Sequence, residues 1–247
     1  MNRFIYIFFL TVISNFSFSQ ETYKVIYKSY PNNGPVEKTE MVTQSKLKYL
    51  YQDLDEAILS LRFELLVNSD KVSFKTNDII FHNQRALRLA RTFTNSSEEY
   101  YFDLQNKTNF IKKSFLNEEF YIENNEVMEW IVTEETKQID SLTCYKATTT
   151  RSFKIKNEIK QVAIEAWFCP SLSIPYGPKG FYALPGLIVQ ISDDKTTMVV
   201  EKISKENIQI QFPQVKKIMS KVEFDNLVDK KKEDFLENKK NEKSFGY

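Results

Sequence analysis

The chain is poor in the residues that most often carry chemistry. One histidine and two cysteines occur among 247 residues, too few for an ordinary His- or Cys-ligated zinc site. His82 is the sole imidazole, set between Phe81 and Asn83, and no Gly-x-Ser-x-Gly elbow is present, so no nucleophilic triad is legible. Neither a P-loop nor a dinucleotide fingerprint occurs. Asp53 and Asp55 lack the glycine and later glutamate of a calcium loop. Five glycines and seven prolines exclude collagen-like and Gly-rich repeats. Excess charge of one sign is missing too: 34 basic residues face 33 acidic ones, which gives no net field for nucleic acid or an anionic membrane. The expectation is no cofactor, no metal and no enzymatic activity. Paired carboxylates could still serve an envelope hydrolase, but no acidic residue stands in a context that singles it out.

Long apolar runs are also lacking. The run from Phe4 to Ile13 follows Arg3 and leads to Ser17-Phe18-Ser19-Gln20. That is the three-part layout of a secretory signal peptide cut after Ser19, and the run is about half the roughly 20 residues that span a bilayer. No Cys follows the cut, so no lipid anchor is expected, and no later stretch is apolar enough to span. The chain is therefore expected to be exported, to a periplasmic or outer-membrane-associated address, with no transmembrane segment after cleavage.

What the chain does have is aromatic side chains: 20 Phe, 13 Tyr and 2 Trp, with 42% apolar residues. That excludes global disorder and supplies a sizeable core. Period-two alternation dominates. Ala57, Leu59, Leu61, Phe63, Leu65 and Val67 occupy the odd positions, with Ser60, Arg62 and Glu64 among the even ones, and predict one half-buried strand over 57–67. Tyr23-Val25-Tyr27, Tyr100-Phe102-Leu104 and Val162-Ile164-Ala166-Phe168 repeat the pattern, and apolar runs occupy Leu187–Ile191 and Met198–Ile203. Pro31-Asn32-Asn33-Gly34, Asn124-Asn125, Lys156-Asn157-Glu158 and Ser192-Asp193-Asp194 read as hairpin turns between strands. Asp78–Thr92 is a candidate helix.

Near the C-terminus, Ser220 and Glu223 fit a capping box, followed by Phe224, Leu227, Val228 and Phe235 on one helical stripe. Seven Lys and seven Asp or Glu lie between Lys221 and Lys243, which predicts a docked terminal helix that frays after Asn238. The domain reading is a signal peptide over 1–19, an antiparallel β domain over 20–219, and a C-terminal amphipathic helix and tail over 220–247. The fold class is mainly β: a single curved antiparallel sheet, half-barrel-like, with a C-terminal α-helix. Its apolar face is to be covered by that helix, by sheet curvature and by a loop.

The loop is unusual. Four of the seven prolines (Pro170, Pro175, Pro178, Pro185) and three of the five glycines (Gly177, Gly180, Gly186) fall between Pro170 and Gly186. Trp167, Phe168, Tyr176, Phe181 and Tyr182 frame them. Proline fixes φ and glycine permits positive φ, so the path is irregular, and an irregular stretch of this length is usually functional or disordered. Two readings stand: aromatic anchors folded onto the end of the sheet, or a recognition surface. Trp167, Tyr176, Phe181, Tyr182, Leu184 and Pro185 are the candidate binding residues.

The stretch Tyr176-Gly177-Pro178-Lys179-Gly180-Phe181-Tyr182-Ala183-Leu184-Pro185-Gly186-Leu187-Ile188 resembles the signature of the GLPGLI family. Trp130 with Thr133-Glu134-Glu135-Thr136-Lys137, Cys144-Tyr145-Lys146-Ala147-Thr148, and Ala166-Trp167-Phe168 with Ile174-Pro175 resemble its other motifs. Phe63 to Asn68 is in its style as well. The resemblance runs from about Leu61 to Ile191 and implies a secreted protein of Gram-negative bacteria with no established activity. Ala183 departs from it, standing where the name-giving first glycine would be. Alanine tolerates positive φ poorly, at about 1 kcal/mol, so either the position has ordinary φ or the turn is shifted. Pro185-Gly186 fits the centre of a type II turn delivering Leu187-Ile188-Val189 into a buried strand.

Cys144 and Cys169 lie on opposite arms of a hairpin. Pairing about Asn157-Glu158 sets Cys144 opposite Ser171, two residues off, which a bulge could correct. Export allows a bridge worth roughly 3 kcal/mol in the chain-entropy model; the alternative is two separate thiols. The leading functional expectation is a non-enzymatic binding module of the cell envelope, taking an envelope protein or a hydrophobic ligand as partner. A lipid carrier using the cleft of the curved sheet is the alternative.

Overall fold

The computed structural model describes residues 21–32, 45–155 and 158–244. The expected leader over 1–19 lies outside the described residues, as do Asn33 and Gly34 of one expected turn and Lys156 and Asn157 of another. Among the described residues, β1 (Thr22–Pro31), β2 (Arg62–Val67), β3 (Lys71–Thr76), β4 (Glu99–Asp103), β5 (Thr108–Phe115), β6 (Glu118–Glu123), β7 (Ile131–Ile139), β8 (Leu142–Ile155), β9 (Glu158–Cys169), β10 (Leu187–Ser192) and β11 (Thr196–Glu206) form one sheet. Its order is β6-β5-β4-β3-β2-β1-β11-β10-β9-β8-β7, antiparallel throughout. Three helices accompany it: α1 (Ser45–Ser60), α2 (Gln84–Phe93) and α3 (Lys221–Ser244). The protein is mainly β, with an open sheet and a C-terminal helix.

The order itself demands curvature. β6 and β7 are opposite edges of the sheet, yet consecutive in the chain. Laid flat, eleven strands would hold their edges about 48 Å apart. The eight residue steps from Glu123 to Ile131 reach at most about 28 Å. The sheet therefore curls until its edges approach, without pairing into a closed barrel. Asn124-Asn125 is thus not the hairpin turn its composition suggests; it opens the connection that crosses from one edge to the other.

Alternation then assigns the faces. Val25, Tyr27, Phe63, Leu65, Phe74, Tyr100 and Phe102 lie on the concave side and are buried. The opposite face carries ion pairs: Lys24 with Glu64 (3.4 Å) and Glu206 (3.5 Å), and Glu201 with Lys28 (2.7 Å) and Arg62 (2.6 Å).

The strand expected over 57–67 is corrected at its start. Residues 57–60 are the last turn of α1, and β2 begins at Arg62. Ala57, Ile58 and Leu61 are buried, while Leu59, which alternation would turn inward, is 43% exposed. The apolar run satisfies both periods up to Leu61; the helical period wins where α1 packs on β1 and α2. The candidate helix at 78–92 forms later, as α2, because the Asn83 side chain caps its first turn by accepting from Arg85 N and Ala86 N, each at 3.1 Å.

At α3 the capping box is in place: Ser220 N donates to Glu223 Oε2 (2.7 Å) and Glu223 N to Ser220 Oγ (3.2 Å). Phe224 is buried against Phe120, with Leu227 and Val228 alongside. The stripe is shorter than its sequence suggests, since Phe235 is 65% exposed, while the helix extends to Ser244. Between β11 and α3, residues 207–219 strap the convex side. Phe212 packs on Tyr101 and Phe110, and Met219 pairs with edge strand β6 through Tyr121 O and Glu123 N, each at 2.9 Å. No helix among the described residues is long and apolar enough to cross a membrane.

Candidate functional site

The Pro170–Gly186 loop leaves β9 and returns as β10, and it crosses the concave face to reach β3 and β4. Leu187 pairs with Cys169, Leu172 N donates to Cys169 O (3.1 Å) and Leu187 N to Leu172 O (3.0 Å), which together close its root. Its tip is a small hairpin. Tyr176 bridges Tyr182, Gly177 N donates to Phe181 O (2.8 Å), and a single 3-10 turn spans Pro178–Gly180. Two glycines make this path possible. Gly180, at φ +72, presses on Tyr100, whose Cδ1 would be 2.5 Å from an added Cβ. At Gly186, φ +154, a Cβ would stand 2.3 Å from the Cys169 carbonyl oxygen.

The turn at Pro185-Gly186 is not the expected type II. Gly186 N donates to Leu184 O (2.8 Å), a three-residue turn about Pro185, and Leu187 N is committed to Leu172 instead of Leu184. Ala183 stands at φ +71: the glycine-like conformation is kept although the glycine is not.

The tip is fastened at three points. Trp130 Nε1 donates to Tyr182 O (2.8 Å), and the Tyr182 hydroxyl donates to Glu126 O (2.9 Å). Arg151 lies over the Phe181 ring at 4.1 Å and pairs with Glu126 (Nη2 to Oε2, 3.0 Å). Lys179, only 8% exposed, reaches Asp193 Oδ2 (3.3 Å) and Thr196 Oγ1 (3.4 Å) at the β10–β11 turn. Burial lowers the Lys179 ammonium below the ordinary lysine value, and the Asp193 charge offsets only part of that. For Asp193, burial alone would raise the carboxyl; Lys179 and the backbone N–H groups of Thr196 and Lys195 outweigh it and hold the group low.

The six candidate binding residues do not share one surface. Phe181 and Leu184 are buried in the core, Tyr176 and Tyr182 are half-buried against Phe102, and Pro185 is exposed. Trp167 sits on the other face of the sheet, opposite Lys146, beneath the Lys137 ammonium at 4.1 Å, and donates to Glu165 Oε1 (3.0 Å). As placed, Phe181, Leu184 and Trp167 anchor packing and offer little to a partner. Replacing Phe181 by Ala would open the core at about 3–5 kcal/mol and cannot serve as a binding test.

Cys144 and Cys169 are joined in a disulfide, Cα to Cα 4.4 Å. Ile155 pairs with Glu158, so the hairpin turns one residue earlier than Asn157-Glu158. The cysteines then meet directly, with no bulge, at the spacing of a non-hydrogen-bonded pair.

Sequence reasoning missed the residues flanking the tip. Val127 (78% exposed), Ile131 (70%) and Val132 (52%) give an apolar rim to the segment around Trp130 where the crossing connection enters β7, with Ile131 and Val132, as neighbours on a strand, facing opposite sides. Among the described residues, β7 pairs only with β8. A bulge after Val132 and the exposed Glu134 and Glu135 interrupt that edge, as edge strands commonly are. The rim's one signal in the sequence was Trp130, which belongs to a motif without an evident partner. Apart from this site, Asp53, Glu56 and His82 bring donor atoms within 4.8 Å of one another at the α1–α2 junction; the His82 side chain is 63% exposed.

A family model described as a protein of unknown function (Porph_ging) matches residues 152–190. Those residues are the end of β8, β9, the loop and β10 as far as Gln190. No curated protein matches the chain. Two solved structures of PNGF-II, in space groups C2 and P21, are similar at a TM-score of 0.47 and 16% identity, covering 81% and 82% of this chain. The chain spans 31% of that protein's length.

Proposed function

We propose that this chain is an exported, non-enzymatic binding module of the cell envelope, of the GLPGLI type, acting in the periplasm or at the outer membrane. The observation that supports the reading is the exposure of Val127, Ile131 and Val132 within one short segment, which the Trp130–Tyr182 hydrogen bond ties to the loop tip. Exposed apolar side chains gathered at an open strand edge are a surface that a protein partner would cover. The partner is then an envelope protein seated on the rim, with Tyr182 at its border. A hydrophobic ligand inside the sheet fits less well, because the loop already packs into the concave face that such a ligand would need.

The test compares the wild-type mature chain with Val127→Lys and Ile131→Lys variants. Each is tagged, crosslinked in its native envelope and analysed by mass spectrometry, with circular dichroism as the folding control. The reading expects a crosslinked protein present with the wild type and lost from both variants while their spectra stay unchanged. An identical crosslink pattern in folded variants would remove the rim as the contact surface. Recovery of a stoichiometric lipid from the purified wild type would favour the carrier instead.

A further inference from the structure

We propose that the Cys144–Cys169 disulfide is a redox lock on the seating of the Pro170–Gly186 loop in the concave face. The β8–β9 ladder ends at Tyr145 and Phe168. Cys144 and Cys169 are the next positions, so the disulfide closes the ladder one residue beyond its last backbone pair, where β9 gives way to the loop. The same residue is the loop's anchor at both ends. Its carbonyl accepts from Leu172 N, Gly186 lies against that carbonyl, and Leu187 pairs with it. Ladder ends open more readily than ladder centres. Opening at this end moves the departing and returning strands of the loop together.

The rest of the loop is held by contacts outside the ladder: Lys179 with Asp193, Trp130 with Tyr182 O, and Tyr182 with Glu126 O. These require the root to be in register. Once it shifts, the buried Lys179 ammonium can exchange its long contacts for water. Both cysteines are fully buried, so a reductant acts only on molecules whose root has opened, and reduction then holds that opening. In the forward direction two thiols lose two protons and two electrons to form one S–S bond, and a protein disulfide of the oxidising compartment accepts them to become a dithiol. A dithiol reductant runs the reverse exchange. The physiological direction, thiols before export and a disulfide after it, rests on the export proposed above; the coupling of the bond to the loop does not.

Hydrogen–deuterium exchange read by mass spectrometry tests the coupling on the oxidised chain, the chain reduced with dithiothreitol, and the Cys144→Ala/Cys169→Ala variant. Alkylation counts the free thiols. The expected result is exchange at least tenfold faster over residues 170–187 in both forms that lack the disulfide, with peptides of β1 to β6 unchanged. Loop exchange within twofold of the oxidised chain would overturn the proposal, and so would equal acceleration throughout β1 to β6, which marks global loss of structure. Acid-trapping the cysteines in intact cells separates the two claims: free thiols in the mature chain would count against export and leave the exchange result to stand on its own.

Discussion

Ala183→Gly tests the backbone of the loop with almost nothing else changed. At φ +71 the Cβ of an L-residue crowds its own backbone, at a cost of about 1–2 kcal/mol. The side chain is exposed, so removing it forfeits little burial, and the hydrogen bond from Ala183 N to Pro175 O (3.0 Å) is one that glycine keeps. Against the relieved strain stands the added freedom of glycine in the unfolded chain, about 0.4–1 kcal/mol. The difference is a stabilisation of about 0.5–1 kcal/mol. With a urea m-value of about 2–3 kcal/mol/M, the unfolding midpoint rises by about 0.3 M at constant m. Ala163→Gly is the control, since that alanine is also exposed but lies within β9, where glycine should cost about 0.5–1 kcal/mol. Opposite signs for the two substitutions are required. A lowered midpoint for Ala183→Gly, in a chain with unchanged circular dichroism, would refute the account of the turn.

Other perturbations have defined outcomes. Gly186→Ala drives a Cβ into the Cys169 carbonyl and should destabilise by about 3 kcal/mol or more, read as a fallen urea midpoint. Trp130→Phe keeps the ring against Phe181 but removes the donor to Tyr182 O; the expected loss is about 1 kcal/mol, with faster amide exchange confined to the loop tip. Asp193 is held below its unfolded value, so its stabilising contribution is present above the unfolded carboxylate pKa and is lost as pH falls through the lower folded value. Asp193→Asn should therefore flatten the acid limb of stability against pH below about pH 4, and an unchanged limb would show that the Lys179 pair contributes nothing there.

The sheet was legible because its strands are half-wet: Tyr23-Val25-Tyr27 and Val162-Ile164-Ala166-Phe168 each need one dry face, and alternation reports it directly. The register of the cysteines was nearly legible, missed by one residue at the turn. α1 was hidden because Ala57, Ile58 and Leu61 satisfy a helical stripe while Ala57, Leu59 and Leu61 satisfy a strand, and only the exposure of Leu59 separates them. The crossing from β6 to β7 could not be read from Asn124-Asn125, since the same dipeptide serves a tight hairpin and a connection between distant edges; topology decides it. For the site, the aromatic residues of the loop were visible but their direction was not. Proline and glycine show that a path is irregular without showing whether its rings turn toward the sheet or away.

That direction bears on how the motif relates to binding. Gly180 is fixed by contact with Tyr100, Gly186 by contact with Cys169, and Phe181 and Leu184 by burial, so the residues that make the stretch recognisable are the ones packing demands. The matched family segment, 152–190, covers the same packing unit. A resemblance carried by such residues is a resemblance of architecture and says nothing of a partner. If the chain binds a partner as proposed, specificity belongs to residues with few packing duties, namely Val127, Ile131, Val132 and the exposed Pro185. Exchanging those side chains should change what is bound and leave the stability read from urea unfolding within about 0.5 kcal/mol of its original value. Exchanging Gly180 or Phe181 should do the reverse. If rim substitutions unfold the chain while loop substitutions merely switch partners, the division between scaffold and contact surface drawn from these distances is wrong.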